Sequence, residues 1–150
     1  MQEVARLFAG IFVALIPVLA MLRAGLDGAL GPVLSLVHGP DGQPNDFAFF
    51  WLTGTLSSFL DNAPTYLVFF ELAVGDPAHL MSAGARTLAA VSAGAVFMVA
   101  NSEICNAPNL MFHAIARQGR VAMPSFFGYL GWSAAVLLPV FVLVGLVFFR

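Results

Sequence analysis

The chain has 150 residues, of which 60% are hydrophobic and 9% are charged, and its mean hydropathy is +0.91. Soluble domains average about 45–50% apolar and about 25% charged residues, so this composition indicates an integral membrane protein. The net charge of −2, with six arginines and no lysine, excludes a basic nucleic-acid surface, and the single cysteine excludes an internal disulfide. The chain has no Cys/His ligand spacing and no HExxH or GxSxG motif, so we predict neither a cofactor nor an enzyme.

The first apolar segment covers residues 7–22 and ends at Arg23. Sixteen helical residues reach about 24 Å, which is most of a hydrocarbon core of about 30 Å. We therefore interpret the segment as a transmembrane helix. A signal peptide is the alternative, and the lack of a convincing small-residue cleavage site speaks against it. A loop rich in glycine and proline follows and extends to Asp46.

Two short apolar segments, residues 47–60 and 66–74, are joined by the sequence DNAPT. The longer one reaches only about 21 Å as a helix, so neither segment could cross the membrane alone. We therefore predict a re-entrant helical hairpin over about residues 47–74, with its tip near mid-depth. The alternative is one continuous helix kinked at Pro64, which would also need a polar cavity around Asp61 and Asn62.

A second Asn-Ala-Pro occurs in the sequence NSEICNAPN, which interrupts the next apolar run at residues 101–109. Residues 84–117 would form a single helix about 51 Å long, well beyond the bilayer core, and Pro108 removes a backbone donor. We therefore predict a broken transmembrane helix over about residues 80–117 that resumes at Leu110. The last transmembrane helix is predicted over residues 126–149.

Four of the five asparagines lie in these two interruptions. Unwound backbone at bilayer depth exposes carbonyl oxygens, which together with amide and hydroxyl oxygens suit a hard cation such as Na⁺. Pro64 and Pro108 mark the structural breaks. The candidate ion-binding or substrate-binding residues are Ser58, Asp61, Asn62, Thr65, Asn101, Ser102, Asn106 and Asn109. Among them, a Na⁺ ion is expected at Asp61, Asn62, Asn101 and Asn106.

Asp61 carries the one full charge at the predicted hairpin tip, so a proton and Na⁺ could compete for its carboxylate. The alternative is that Asp61 caps the helix that begins near Pro64. Glu103 could be a second titrating group, or it could face an aqueous vestibule without a role.

The segments that contain these motifs resemble a known family. DNAPTYLVFFELA, SAGAVFMVAN, NAPN and MPSFFGY are similar to the C-terminal part of bacterial sodium/proton antiporter-type proteins of the ion-transporter superfamily, which also includes citrate carriers and divalent-anion/sodium symporters. The resemblance implies an all-α inverted-repeat fold in which a hairpin and an unwound helix from each repeat form the site. This chain would then be a single membrane domain (1–150), the second-repeat portion of a longer transporter whose N-terminal repeat is missing here.

The same resemblance implies a multi-pass protein of the bacterial inner membrane that transports Na⁺ and H⁺, with the lipid bilayer as its surroundings and a homodimer as one possibility. Asp61 stands where the symporter branch has a serine, which favours Na⁺/H⁺ antiport. Glu103 and Cys105 stand where antiporter-like members have an aromatic residue and a glycine. Two alternatives stay open, which are a carrier of citrate, dicarboxylate or arsenite-like anions and a membrane subunit without transport activity.

Overall fold

A computed structural model describes residues 2–24, 27–28, 31–39, 41–102 and 107–150. Every regular element in these ranges is helical, which confirms the all-α prediction. A 3-10 helix, Met98–Asn101, continues α6. The α-helices are α1 Gln2–Arg23, α2 Gly31–Val37, α3 Asp46–Ser57, α4 Asn62–Leu72, α5 Pro77–Leu80, α6 Ala85–Phe97, α7 Ala107–Gln118 and α8 Phe126–Phe148.

Both Asn-Ala-Pro motifs open a helix. Asn62 is the first residue of α4 and Ala107 is the first residue of α7, so each proline lies in the first helical turn. Proline is tolerated there because the first amide groups of a helix have no intrahelical acceptor. The predicted resumption at Leu110 is therefore wrong by three residues, since α7 starts at Ala107 and Pro108 lies in its first turn.

Helices α3 and α4 fold back on each other. The rings of Phe49, near the start of α3, and Phe69, near the end of α4, meet edge to face with centroids 6.4 Å apart. In one continuous helix these two residues would lie about 30 Å apart. The kinked-helix alternative is therefore wrong, and the chain forms a helical hairpin that extends from Asp46 to Leu72.

The start of the predicted broken helix also needs correction. Residues 81–84 form a turn in which the Gly84 amide donates to the carbonyl oxygen of His79 at 3.0 Å, so α6 begins at Ala85 instead of residue 80. At its other end the 3-10 helix stops at Asn101, and Ser102 is extended with φ −123° and ψ 161°. The predicted break is confirmed as an end of helix at this point.

Helices α3 and α6 run parallel in close contact. Thr87 donates to Asp46 where both helices begin, and Ser58 reaches the carbonyl oxygen of Met98 where both end. Between these contacts the helices cross at Gly54 and Gly94. A Cβ on Gly94 would lie 2.5 Å from the carbonyl oxygen of Phe50 and 3.1 Å from the amide nitrogen of Gly54. Only glycine allows the two backbones to approach this closely.

Helix α8 runs antiparallel to α3 and α6. Its last turn packs beside the start of α3, where the rings of Phe50 and Phe149 stack with centroids 5.0 Å apart. Most of its surface is exposed, and Trp132 and Leu143 are 73% and 65% accessible. Within the described ranges, α8 is the helix that length and composition identify as able to cross a membrane. This outward apolar surface is what lipid contact requires.

Helix α1 packs against α4 and is longer than predicted. It extends from Gln2 to Arg23, whereas the apolar segment covers only residues 7–22. Its 22 residues correspond to about 33 Å, and Pro17 is accommodated inside the helix. Val13 and Ile16 are exposed on its outer surface.

Candidate ion-binding site

The hairpin tip is attached to the end of α6 by two hydroxyl groups. Ser57 Oγ donates to the carbonyl oxygen of Ala95 at 2.6 Å, and Ser58 Oγ lies 2.8 Å from the carbonyl oxygen of Met98. Ser58 Oγ also lies 3.0 Å from the carbonyl oxygen of Gly54, and its single hydrogen can serve one of the two acceptors at a time. Both serines are buried. The end of α3 is thus held against α6 by polar contacts inside an apolar environment.

Asn101 joins this contact from the 3-10 helix. Its side chain is 7% exposed, and its Nδ2 lies 3.4 Å from Ser58 Oγ. On the other side of the amide, Asn101 Oδ1 lies 3.5 Å from the hydroxyl of Ser133 on α8. These distances are long for hydrogen bonds, so the contacts are weak ones. The end of α3, three residues before the DNAPT interruption, therefore meets the start of the second interruption at Ser58 and Asn101.

Two buried hydroxyl groups near this contact have no hydrogen-bond partner among the described residues. They belong to Ser102, which follows Asn101, and to Thr53, which lies one turn before Ser57. Both side chains are fully buried. An unpaired buried polar group costs about 1–3 kcal/mol, so such oxygens are natural ligands for water or a cation.

Asp61 is half-buried at the N-cap position of α4, but its carboxylate makes no capping hydrogen bond. The capping alternative is therefore wrong as regards the side chain. The helix start is instead secured by Thr65, whose buried hydroxyl donates to the carbonyl oxygen of Asp61 at 2.9 Å. Thr65 thus stabilises the hairpin tip with its hydroxyl hydrogen, and the Asp61 carboxylate is not used as a cap.

Asn62 lies on a groove at the start of α4. The groove has a volume of about 340 Å³ and is open to the surface, and Tyr66, Ala95 and Val96 also line it. Ala95 is the residue whose carbonyl oxygen accepts from Ser57, so the groove borders the hydroxyl contacts at the tip. No hydrogen bond within the described ranges joins Asn62 to Asn101.

Some of the predicted site residues fall outside the described part of the chain. Glu103, Cys105 and Asn106 belong to this group. Asn109 lies in the first turn of α7, where the backbone is described but the side chain is not. In the described ranges no three His, Cys, Asp or Glu side chains gather to hold a metal ion. The oxygen atoms that the described structure gathers around Ser58 and Asn101 therefore belong to hydroxyl, amide and backbone groups, and no described hydrogen bond joins the Asp61 carboxylate to them.

Ser133 was not among the residues predicted from the sequence. It is the one Ser, Thr, Asn or Gln residue in the 23 residues of α8, but its signal in the sequence is weak because a lone serine in an apolar helix commonly bonds to its own backbone. The ion pair of Arg86 with Asp46 was not predicted either. Arg86 Nε lies 3.3 Å from Asp46 Oδ2 at the start of α3, the end opposite Ser58.

The apolar composition, the all-helical fold of the described residues and a helix long enough to cross a membrane together indicate a membrane protein. A family profile described as "Putative citrate transport" matches residues 1–149. The chain belongs to this family, which makes it a transporter of the citrate-carrier kind and confirms that part of the predicted resemblance. The match points to transport and not to enzymatic activity. Searches among curated proteins and among solved structures each found no match.

Proposed function

We propose that the chain provides a cation site for secondary active transport, and that the reaction is Na⁺/H⁺ antiport. The observation that carries the proposal is the contact of Ser58 with Asn101, because it joins the hairpin tip to the end of the interrupted helix. Na⁺ is the coupling ion, and Asp61 is the group at which Na⁺ and a proton compete.

The electrostatics of the helix ends favour a cation. Helices α3 and α6 run parallel, so the C-terminus of α3 and the C-terminus of the 3-10 helix converge at the site. Carbonyl oxygens at helix C-termini lack intrahelical donors and carry partial negative charge. The Met98 carbonyl, the Ser58 and Ser102 hydroxyls and the Asn101 amide oxygen are hard ligands of the kind that Na⁺ prefers.

The helix lengths support a re-entrant position for the hairpin. Both ends of the hairpin lie beside the start of α6 and the end of α8. The 12 residues of α3 reach about 18 Å, whereas the 23 residues of α8 reach about 34 Å. The tip would then lie inside the membrane, beside Ser133 of α8.

We further propose that a second repeat of the same transporter completes the site, in a multi-pass protein of the bacterial inner membrane. In an inverted-repeat transporter each repeat supplies one hairpin and one interrupted helix. Asn62, Asn106 and Asn109 are proposed to face the ion from this half of the site.

The antiport proposal is tested by measuring ²²Na⁺ uptake into proteoliposomes that contain the transporter with both repeats and have an acidic interior. Asp61→Asn is expected to reduce uptake by about tenfold or more, because a hydrogen bond or ligand contact to a charged group contributes about 1.5–3 kcal/mol. Asp41→Asn is the matched control, since it removes the same charge from an exposed loop residue and should leave uptake unchanged. Equal uptake by the wild type and Asp61→Asn would refute the proposal.

A second candidate function is transport of citrate itself, which the family match favours. Helices α4 and α7 both begin next to the polar interruptions, and helix N-termini attract carboxylates. Uptake of labelled citrate that persists in Asp61→Asn, without ²²Na⁺ flux in the wild type, would support this candidate over antiport. Unchanged function after alanine substitution of Ser58 and Asn101 would instead favour a subunit without transport activity.

A further inference from the structure

We infer that Ser133 of α8 is a positioning residue that fixes the orientation of the Asn101 amide in the proposed site. The inference rests on the proposed function, because orientation matters only if the Asn101 amide oxygen binds the ion. Ser133 contributes from a third element, since neither the hairpin nor the interrupted helix contains it.

The inference depends on which groups around the Asn101 amide donate a hydrogen bond and which accept one. Ser58 gives its hydroxyl hydrogen to the carbonyl oxygen of Met98 or Gly54, so towards Asn101 it can only accept. The side of the Asn101 amide that faces Ser58 is therefore the NH₂ group, as the distance of 3.4 Å from Nδ2 to Ser58 Oγ indicates. The amide oxygen then faces Ser133, whose single hydroxyl hydrogen can serve this oxygen at 3.5 Å or the carbonyl oxygen of Ala100 at 3.4 Å. One neighbour can only accept and the other can donate, so the two weak contacts favour the same orientation of the amide.

A comparison with Ser92 shows why the placement of Ser133 is informative. Serine hydroxyls in helices commonly bond to the carbonyl oxygen four residues earlier, and Ser92 does so with Leu88 at 2.7 Å. Ser133 instead reaches across to the end of the interrupted helix, where Asn101 Oδ1 lies at 3.5 Å and the carbonyl oxygen of Ala100 at 3.4 Å. The hydroxyl of Ser133 therefore connects α8 to the site.

The consequence for ion binding is direct. An amide oxygen has two lone pairs, so Asn101 Oδ1 can accept from Ser133 and still bind a cation. Without the Ser133 hydroxyl, only the contact with Ser58 holds the amide, so the NH₂ group, which repels a cation, can turn towards the ion more easily. Loss of Ser133 should thus weaken Na⁺ binding without removing any ligand of the ion.

The first experiment compares the Na⁺ dependence of ²²Na⁺ uptake in proteoliposomes for the wild type, Ser133→Ala and Ser133→Thr. We expect Ser133→Ala to raise the half-saturating Na⁺ concentration by about two- to threefold, the lower end of the effect of one hydrogen bond because the contact is long, with little change in the maximal rate. Ser133→Thr keeps the hydroxyl and should restore the wild-type value. Ser92→Ala is the matched control and should leave the half-saturating concentration unchanged.

A wild-type half-saturating concentration in Ser133→Ala would overturn the inference, as would equal impairment of the Ala and Thr variants. A double-mutant cycle of Ser133→Ala and Asn101→Ala on thermal unfolding in detergent provides a readout that does not need transport. The effect of Ser133→Ala should be smaller in the Asn101→Ala background, where only the contact with the Ala100 carbonyl oxygen remains, and additive effects would also overturn the inference. If the cycle shows coupling but the wild type transports no Na⁺, the contact stands and the proposed function fails.

Discussion

Val74 holds a backbone conformation that a β-branched residue rarely adopts, with φ of 89°. It is the second residue after the end of α4, where the amide of Gly75 donates to the carbonyl oxygen of Phe70 at 3.0 Å. A bond from an amide to the carbonyl oxygen five residues earlier is typical of a Schellman motif at the end of a helix. In that motif the residue at the position of Val74 is usually glycine. The hairpin thus ends with local strain at an exposed position.

Replacing Val74 with glycine should therefore stabilise the protein. The strain of a non-glycine residue at positive φ costs about 1–3 kcal/mol in the folded state. Glycine removes this strain but loses more conformational entropy on folding, so we expect the free energy of unfolding to rise by about 1 kcal/mol. Little packing is lost, because Val74 is 65% exposed. The midpoint of thermal unfolding in detergent should rise for Val74→Gly. It should not rise for Val121→Gly, which alters a similarly exposed valine without positive φ.

Thr53 and Ser57 provide a paired prediction, because they are buried one turn apart on α3. Thr53 Oγ1 has no hydrogen-bond partner in the described part of the chain, whereas Ser57 Oγ donates to Ala95 at 2.6 Å. Thr53→Val should raise the free energy of unfolding by about 1 kcal/mol, and Ser57→Ala should lower it by a similar amount. Both changes are measured by thermal or denaturant unfolding in detergent. A loss of stability in Thr53→Val would show that a water molecule or an ion satisfies this hydroxyl.

The contribution of individual residues was only partly predictable. Asn101 could be identified from the sequence because it begins the second polar interruption, and Ser58 because it lies three residues before the first one. Ser133 could not be identified in the same way, because a lone serine in an apolar helix usually bonds to its own backbone. Its contact with Asn101 depends on how α8 packs against the end of α6, which local sequence does not determine.

At the scale of elements, the sequence indicated the interruptions more reliably than the helix ends. The hairpin could be predicted because each of its arms is too short to cross a membrane. The start of α6 was predicted five residues too early, because residues 81–84 are compatible with a helix but form a turn around the buried Leu80. The role of Pro108 as a helix opener was missed because proline both ends and begins helices.

The close contact of α3 with α6 at Gly54 and Gly94 predicts that α6 tolerates no side chain at Gly94. Gly94→Ala should destabilise the protein by about 1–3 kcal/mol, since its Cβ would lie 2.5 Å from a backbone oxygen that cannot move without shifting α3. Gly131→Ala is the matched control. A Cβ on Gly131 meets no atom within 4 Å, so this variant should be neutral or slightly stabilising, as alanine is in helices. Equal unfolding midpoints for the two variants in detergent would show that the helices do not cross at Gly94.

At the scale of the whole molecule, a polar clamp connects α3, α6 and α8 at the end opposite the site. Asp46 accepts from Thr87 at 2.6 Å and pairs with Arg86 at 3.3 Å. Arg86 also donates to the carbonyl oxygens of Phe148 and Arg150 at 3.1 and 2.7 Å. The guanidinium group thus satisfies carbonyl groups at the end of α8 that have no donor within that helix.

Arg86→Gln should loosen the end of α8 more than it lowers global stability. Arg86 is 56% exposed, and exposed ion pairs contribute only about 0–1 kcal/mol, so the unfolding midpoint should change little. Hydrogen–deuterium exchange should become faster in the last turn of α8 and beyond, where the carbonyl contacts are lost. Arg117→Gln, an exposed arginine in the last turn of α7, should leave this exchange unchanged. Unaltered exchange at the end of α8 in Arg86→Gln would contradict the clamp.

The class of the whole molecule was the most predictable property. The apolar composition indicates a membrane environment, and the segments around the two Asn-Ala-Pro motifs resemble a superfamily that includes citrate carriers, a relation that the family match confirms. The packing direction of α8 could not be predicted, because a uniformly apolar helix has no polar face to orient it.

The Gly54–Gly94 crossing has a mechanical consequence, because it lies between the clamp and the ion-binding site. Because the two backbones approach most closely at this crossing, we expect α3 to pivot there if it tilts relative to α6. The arm of α3 from Gly54 to Asp46 is about 12 Å long, and the arm from Gly54 to Ser58 is about 6 Å long. Tilting α3 about this point moves its ends in opposite directions, so a displacement at the Asp46–Arg86 end reaches Ser58 reversed and at about half its size.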